Sequence, residues 1–117
     1  MVSHPKIKAI SFTGGTATGQ HIAGIAAPMF KKLSLELGGK NPTIVFPDVD
    51  IKQTVKEVFR SSFSNQGQIC LCGSRIFVHQ DIYEAFKTAF VDWVSSAKVS
   101  YPADPNAQIG AVVSKGH

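Results

Sequence analysis

The chain has 117 residues, the length of one small domain, and its 44% hydrophobic and 17% charged composition fits a soluble globular protein. A formal charge of +4 comes from scattered lysines whose one tight pair is Lys31-Lys32, too sparse for a nucleic-acid-binding face. No apolar run reaches the ~18 residues of a membrane span, and Met1-Val2-Ser3-His4-Pro5-Lys6 lacks the apolar stretch of a signal peptide, so a reducing, cytoplasmic location is expected.

The first element in chain order is a strand over Lys8–Thr13, β-branched and apolar, ended by the glycine-rich turn Gly14–Gly19. Gln20 to Phe30 then sets Ile22, Ile25, Ala26 and Met29 on one helical face, with Pro28 closing the helix early. Leu33–Leu37 alternates apolar and polar residues like a second strand and stops at Gly38-Gly39. Pro42–Phe46 reads as a short buried strand. Asp48 or Asp50 can cap the following helix, where Ile51, Val55, Val58 and Phe59 recur at helical spacing. The pattern breaks at Ser64–Gln68. A further strand is expected within Ile69–His79, centred on Arg75–Val78, and Asp81 is expected to cap a third helix that turns Ile82, Phe86, Phe90 and Trp93 inward. From Pro102 the chain is turn-rich.

Strand–helix–strand alternation predicts an α/β fold with mostly parallel pairing. The composition shift at Gly38-Gly39 marks the expected domain boundary, giving 1–37 and 38–117. The first part is a single strand–helix–strand unit, too little to bury its own sheet, so the chain is expected to be a piece of something larger.

Two cysteines, Cys70 and Cys72, are too few for a disulfide framework and, at i and i+2, poorly placed to bridge each other. A free cysteine is most often an inert, buried small hydrophobe. Cys70, however, follows a helix and the polar, glycine-containing turn Ser64–Gln68 and opens a strand, the kind of exposed, rigid bend a nucleophile needs. A thiol is only slightly ionised at neutral pH, so it needs a nearby base or backbone N–H groups. As metal ligands, the two would share one face of a strand. No second Cys or Cys/His pair has zinc-site spacing, and His4, His21, His79 and His117 are scattered, so no metal is expected.

Glu36, within Leu35-Glu36-Leu37-Gly38-Gly39-Lys40, is either a solvent-facing strand residue or a partly buried carboxylate in a crevice. In the second case desolvation would raise its pKa and make it a usable general base. The Gly14–Gly19 turn between strand and helix could offer N–H groups and the helix dipole to a phosphate, or be a plain connection. It has the two-glycine spacing of a P-loop, but Gln20 and His21 stand where Lys and Ser/Thr are required, and the G-x-G-x-x-G fingerprint is absent.

Together these segments resemble the aldehyde dehydrogenase superfamily over essentially the whole chain. Phe12-Thr13-Gly14-Gly15-Thr16 is similar to its cofactor-binding turn, Leu35–Pro42 to its glutamate signature, and Phe63–Ser74 to its cysteine signature. Ala27-Pro28, Lys31–Glu36, Ile69–Cys72 and Ser74–Val78 look closest to 2-aminomuconic semialdehyde dehydrogenase-like members. The resemblance implies that residues 1–37 end a Rossmann-like cofactor domain and 38–117 begin an α/β catalytic domain. It implies Cys70 as nucleophile, Glu36 as the proton-handling carboxylate, and Thr13, Gly14, Gly15 and Leu37 as cofactor contacts.

By the same resemblance, NAD (or NADP) is the cofactor, a small aldehyde the substrate, and a homo-oligomer the form of the full-length enzyme. Gly15 replaces the serine often found in the cofactor turn, removing one hydroxyl contact. The family's adenosine-ribose lysine, oxyanion asparagine and downstream ribose glutamate have no counterpart in these residues, so the isolated chain is expected to turn over little. Two rival readings are a truncated, inactive product that docks onto full-length subunits and a redox or metal-binding thiol protein built on Cys70 and Cys72.

Overall fold

A computed structural model describes all 117 residues, which divide into two compact units, Met1–Gly39 and Lys40–His117. The division falls two residues beyond the boundary drawn from composition.

In the first unit, β1 (Ala9–Gly14) and β2 (Lys32–Leu37) pair in parallel, in register from Ala9↔Lys32 to Gly14↔Leu37. The helix α1 (Thr16–Ala26) connects them. Alternation along β2 leaves Lys32, Ser34 and Glu36 exposed and Leu33, Leu35 and Leu37 half-buried, the period-two pattern of a strand covered on one face. From α1, Ile22 and Ala26 are buried. The helix starts four residues earlier than its apolar periodicity suggests, because Gly14 still belongs to the strand and Gly15 alone separates it from the helix. Gly19 is buried inside the helix, where a side-chain carbon would fall 2.6 Å from a Leu37 methyl; glycine there permits the close approach of helix to strand. Pro28 lies in a 3-10 turn, Ala27–Met29, ended by Phe30 in left-handed geometry. Met29 therefore leaves the helical face and is exposed.

Lys31, one of the paired lysines, is buried. Its Nζ donates to the carbonyls of Val2 and of His4 at 2.7 Å, so the ammonium is satisfied by two backbone oxygens of the N-terminal loop.

The second unit repeats the strand–helix–strand theme. The strands β3 (Asn41–Val45) and β4 (Gly73–Val78) pair in parallel, with an irregularity between Asn41 and Pro42. Between them runs α2 (Ile51–Phe63), capped by the Asp50 carboxylate, which accepts from the Gln53 N–H at 2.8 Å. After β4 comes α3 (Tyr83–Ser96). One face of the strand pair and the two helices enclose Val45, Val55, Val58 and Phe86, with Ile76, Val78, Ile82, Phe90 and Trp93 packed around them. The opposite face carries Ile44, Phe46 and Phe77, all more than half exposed.

Two expectations change here. The strand β4, Gly73–Val78, lies within the expected stretch, but Cys70 does not open it: Cys72 N–H closes a turn on Ile69 O at 3.0 Å before the strand starts. The third helix begins at Tyr83, after a 3-10 turn over Gln80–Ile82. The N-cap of that helix is Ile82, with no side-chain bond, rather than Asp81; His79 caps the 3-10 turn, its Nδ1 accepting from the Asp81 N–H at 3.3 Å.

Beyond α3, the loop over 98–109 is closed by a Val99↔Ile109 bridge and a Lys98 Nζ–Asp104 Oδ2 ion pair at 2.8 Å. Hydrogen bonding to Lys98 holds the Asp104 carboxyl below the usual carboxylate range, helped by the Asn106 N–H and the Ser100 hydroxyl. A carboxyl depressed on folding contributes stability above its unfolded pKa, and that contribution is lost as pH falls through the folded value. The amides of Gln108 and Ile109, which both donate to Lys98 O, should therefore be protected from exchange at neutral pH. Their protection, taken relative to the intrinsic exchange rate at each pH, should fall more than that of α2 as pH drops below the usual carboxylate range. An equal fall in both places would refute the tether.

Candidate active site

The first unit gathers five of the six residues singled out from sequence. Thr13, Gly14, Glu36 and Leu37 occupy the carboxyl ends of the paired strands, with Thr13 opposite Glu36 and Gly14 opposite Leu37. Gly15 follows as the N-cap of α1. The carboxyl end of a parallel strand pair is where open α/β sheets take their ligands. Glu36 is exposed, not partly buried. Period two puts it on the face of β2 opposite the leucines, and this unit places no cover over that face. The crevice expected to desolvate Glu36 is thus not formed by the strand itself.

The residues around Gly15 fit a dinucleotide's diphosphate. No side chain caps α1 and its first turn holds no acidic residue, so its leading N–H groups and dipole have no competing anion. A side-chain carbon placed at Gly15 would meet nothing within 4 Å, leaving the helix start open to a ligand.

The second unit contains Cys70. The chain leaves α2 through a short 3-10 segment, Ser64–Gly67, in which Asn65 (φ 49°), Gln66 (φ 58°) and Gly67 (φ 75°) all take left-handed geometry. Two consecutive non-glycine residues in that region are uncommon and costly, a pattern typical of functional turns. Cys70 and Leu71 are the central residues of the turn closed by Cys72 N–H on Ile69 O. Cys70 is exposed, and its own N–H donates to no protein acceptor. Cys72 is buried, and its Sγ donates to Ser64 O at 3.5 Å.

The two thiols are therefore unlike each other: one presented to solvent, the other packed as a small hydrophobe. They do not share a strand face, as the metal reading required, and no three His, Cys, Asp or Glu side chains stand together. The turn is held by side chains that carry no periodic signal. The Asn41 carboxamide Nδ2 donates to Cys70 O at 2.5 Å and to Cys72 O at 3.3 Å. Arg75 Nε donates to Lys40 O at 3.0 Å, and Val113 N–H donates to Gln68 Oε1 at 3.0 Å. Sequence reasoning missed all three; only the place of Asn41 between the glycine pair and Pro42 hinted at a special role. An open groove of about 410 Å³ lies on the Cys72 side of the turn, lined by Glu57, Arg60, Ser61, Ser64, Ile69, Leu71 and Cys72; Cys70 is not in its wall.

Comparison with known proteins gives one consistent result. The family described as "Aldehyde dehydrogenase family" matches residues 1–117. The chain is 51% identical to mouse 2-aminomuconic semialdehyde dehydrogenase and 54% identical to its zebrafish (Danio rerio) counterpart, in each case over all 117 residues and 24% of the relative. Among solved structures, betaine aldehyde dehydrogenase from Staphylococcus aureus in complex with NAD+ aligns with a TM-score of 0.95 at 38% identity, covering 99% of this chain and 23% of that one. The chain thus spans about a quarter of the length of the curated relatives it matches.

Proposed function

The chain belongs to the aldehyde dehydrogenase family, and from that premise we propose that it supplies the nucleophile and the water-activating base for oxidising a small aldehyde to its acid. The observation that carries the proposal is the contrast between the two thiols: Cys70 is exposed, with an N–H that donates to no protein acceptor, in a turn entered through the strained residues 65–67, and Cys72 is buried.

The Cys70 thiolate adds to the aldehyde carbon, forming a C–S bond as the carbonyl π pair moves to oxygen. The Cys70 N–H, which has no protein acceptor, would donate to that oxyanion, as preorganised donors do to developing charge. Thr13, Gly14, Gly15 and Leu37 would hold NAD+, which would supply the acceptor for the hydride that an sp² aldehyde does not readily give up but the tetrahedral adduct does. NADP+ would serve the same chemistry. What remains on Cys70 is a thioester. Glu36 takes a proton from water, the resulting oxygen nucleophile attacks the thioester carbon, and the thiolate leaves as the acid is released. Splitting one hard displacement into two easier ones is the advantage of the covalent route.

The relatives named for semialdehydes, including 5-carboxymethyl-2-hydroxymuconate semialdehyde dehydrogenase of Escherichia coli at 44% identity, support an aldehyde that also bears a carboxylate. A cytoplasmic, reducing setting would keep both thiols free, and assembly as a homo-oligomer belongs to the same reading. The remaining parts of the site would come from a polypeptide of the relatives' length, so the 117 residues alone should produce little NADH.

The test is a graft in which this chain replaces the matched 117 residues of a full-length relative. The graft should reduce NAD+ with a carboxylated semialdehyde. Its Glu36→Gln variant should give one NADH per Cys70 in a burst, then turn over at least about a hundredfold more slowly as the thioester accumulates. A steady rate unchanged by Glu36→Gln would remove the carboxylate from the mechanism.

A further inference from the structure

We infer that Asn41 is a positioning residue for the Cys70 nucleophile, acting through the two carbonyls it holds; the inference rests on the reading of Cys70 given above. Cys70 O belongs to the peptide that follows Cys70, and Cys72 O to the peptide that follows Cys72. Donation to both from the single Nδ2 of Asn41 fixes the plane of each peptide and with it ψ of Cys70. Without it, the turn presenting the sulfur is closed by one backbone bond, Cys72 N–H to Ile69 O, and is entered through the strained left-handed residues 65–67.

Asn41 can do this because its own place is secured. It opens β3 opposite Gly73, at the irregularity before Pro42. A side-chain carbon at Gly73 would come within 2.0 Å of Thr43 Oγ1, so glycine there leaves room for the Thr43 side chain packed beside the start of the strand pair. The carboxamide thus stands on the rigid strand pair while the thiol stands on the turn, and its two N–H groups match the two acceptors. Aspartate has the same shape but no donors, and it would aim a carboxylate at two carbonyl oxygens. Serine keeps one donor on a shorter arm.

A loosened nucleophile affects the rate of chemistry more than the affinity for cofactor, because misplacement by a fraction of an ångström leaves the distant contacts intact. In the graft, Asn41→Ala and Asn41→Asp are therefore expected to lower kcat by about tenfold to a hundredfold per titrated Cys70. KM for NAD+ should stay within about twofold, and Asn41→Ser should recover part of the loss. Alkylation of this chain, followed residue by residue by mass spectrometry, separates positioning from unfolding. Buried Cys72 should stay protected in all three variants, whereas general loosening would expose it.

A folded Asn41→Ala graft with wild-type kcat overturns the inference, as does loss of activity that tracks Cys72 exposure. Should the alanine and aspartate variants not fold, Asn41→Ser decides: a wild-type kcat overturns the inference, and a reduced kcat with Cys72 protected upholds it. Cys70→Ser in the same graft tells the two readings apart. If that variant remains active, the nucleophile assignment fails regardless of Asn41; if it is inert while Asn41→Ala is fully active, only the positioning role fails.

Discussion

Cys70→Ser in the graft should lower aldehyde oxidation by at least about a thousandfold, while Cys72→Ser should keep most of it. A serine hydroxyl at neutral pH is a far weaker nucleophile than a thiolate. Cys72 sits under the turn and donates to Ser64 O, so the shorter hydroxyl changes packing and one hydrogen bond without touching the presented sulfur. Both variants are to be assayed for NADH formation with the same semialdehyde. Loss of activity in Cys72→Ser with survival in Cys70→Ser would mean that the chemistry belongs to the other sulfur.

Phe86→Ala should cost the second unit about 3–5 kcal/mol, the range for removing a buried aromatic ring. Phe86 is 2% exposed and is the largest side chain fully enclosed in the chain. Its ring stacks on Phe90 with centroids 5.7 Å apart, and Phe90 stacks in turn on Phe63 at 6.5 Å, at the end of α2. The cavity would therefore open between the helices that hold the strand pair and would reach the segment leading into the Cys70 turn. Urea unfolding followed by fluorescence of Trp93, which packs against the same core, measures the loss. A change below about 1 kcal/mol would mean that the helices collapse onto the gap and that α3 is more pliant than its packing indicates.

Much of this fold was legible in the residue order because burial writes a period into sequence. The alternation Leu33, Leu35, Leu37 gave β2, and the spacing of Val55, Val58 and Phe86, Phe90, Trp93 gave the core faces of α2 and α3. The start of α1 was misplaced because Gly14, Gly15 and Gly19 look alike in sequence. The first ends the strand, the second caps the helix, and the third makes room for Leu37 inside it. Cys70 was expected to open β4 because its neighbours Ile69 and Leu71 are apolar, as a strand would be, yet they stand exposed in a turn.

At the candidate site, the residue types were readable from the signatures, and Thr13, Gly14, Gly15, Glu36 and Leu37 meet at one strand end. The supports were not readable. Asn41 reaches a carbonyl 29 residues away and Lys31 reaches back by the same distance, and bonds from side chain to distant backbone impose no spacing on the chain. The burial of Lys31 illustrates the limit, since nothing in Lys31-Lys32 says which lysine turns inward.

The alternation of β2 has an evolutionary consequence. Leu33 and Leu35 answer only to the protein interior, whereas Lys32, Ser34 and Glu36 face away from it. Selection on chemistry and selection on folding therefore act on interleaved but separate letters of the same six-residue word. Lineages can retune the outward set without renegotiating the inward one, but losing a single letter would exchange the two vocabularies at a stroke.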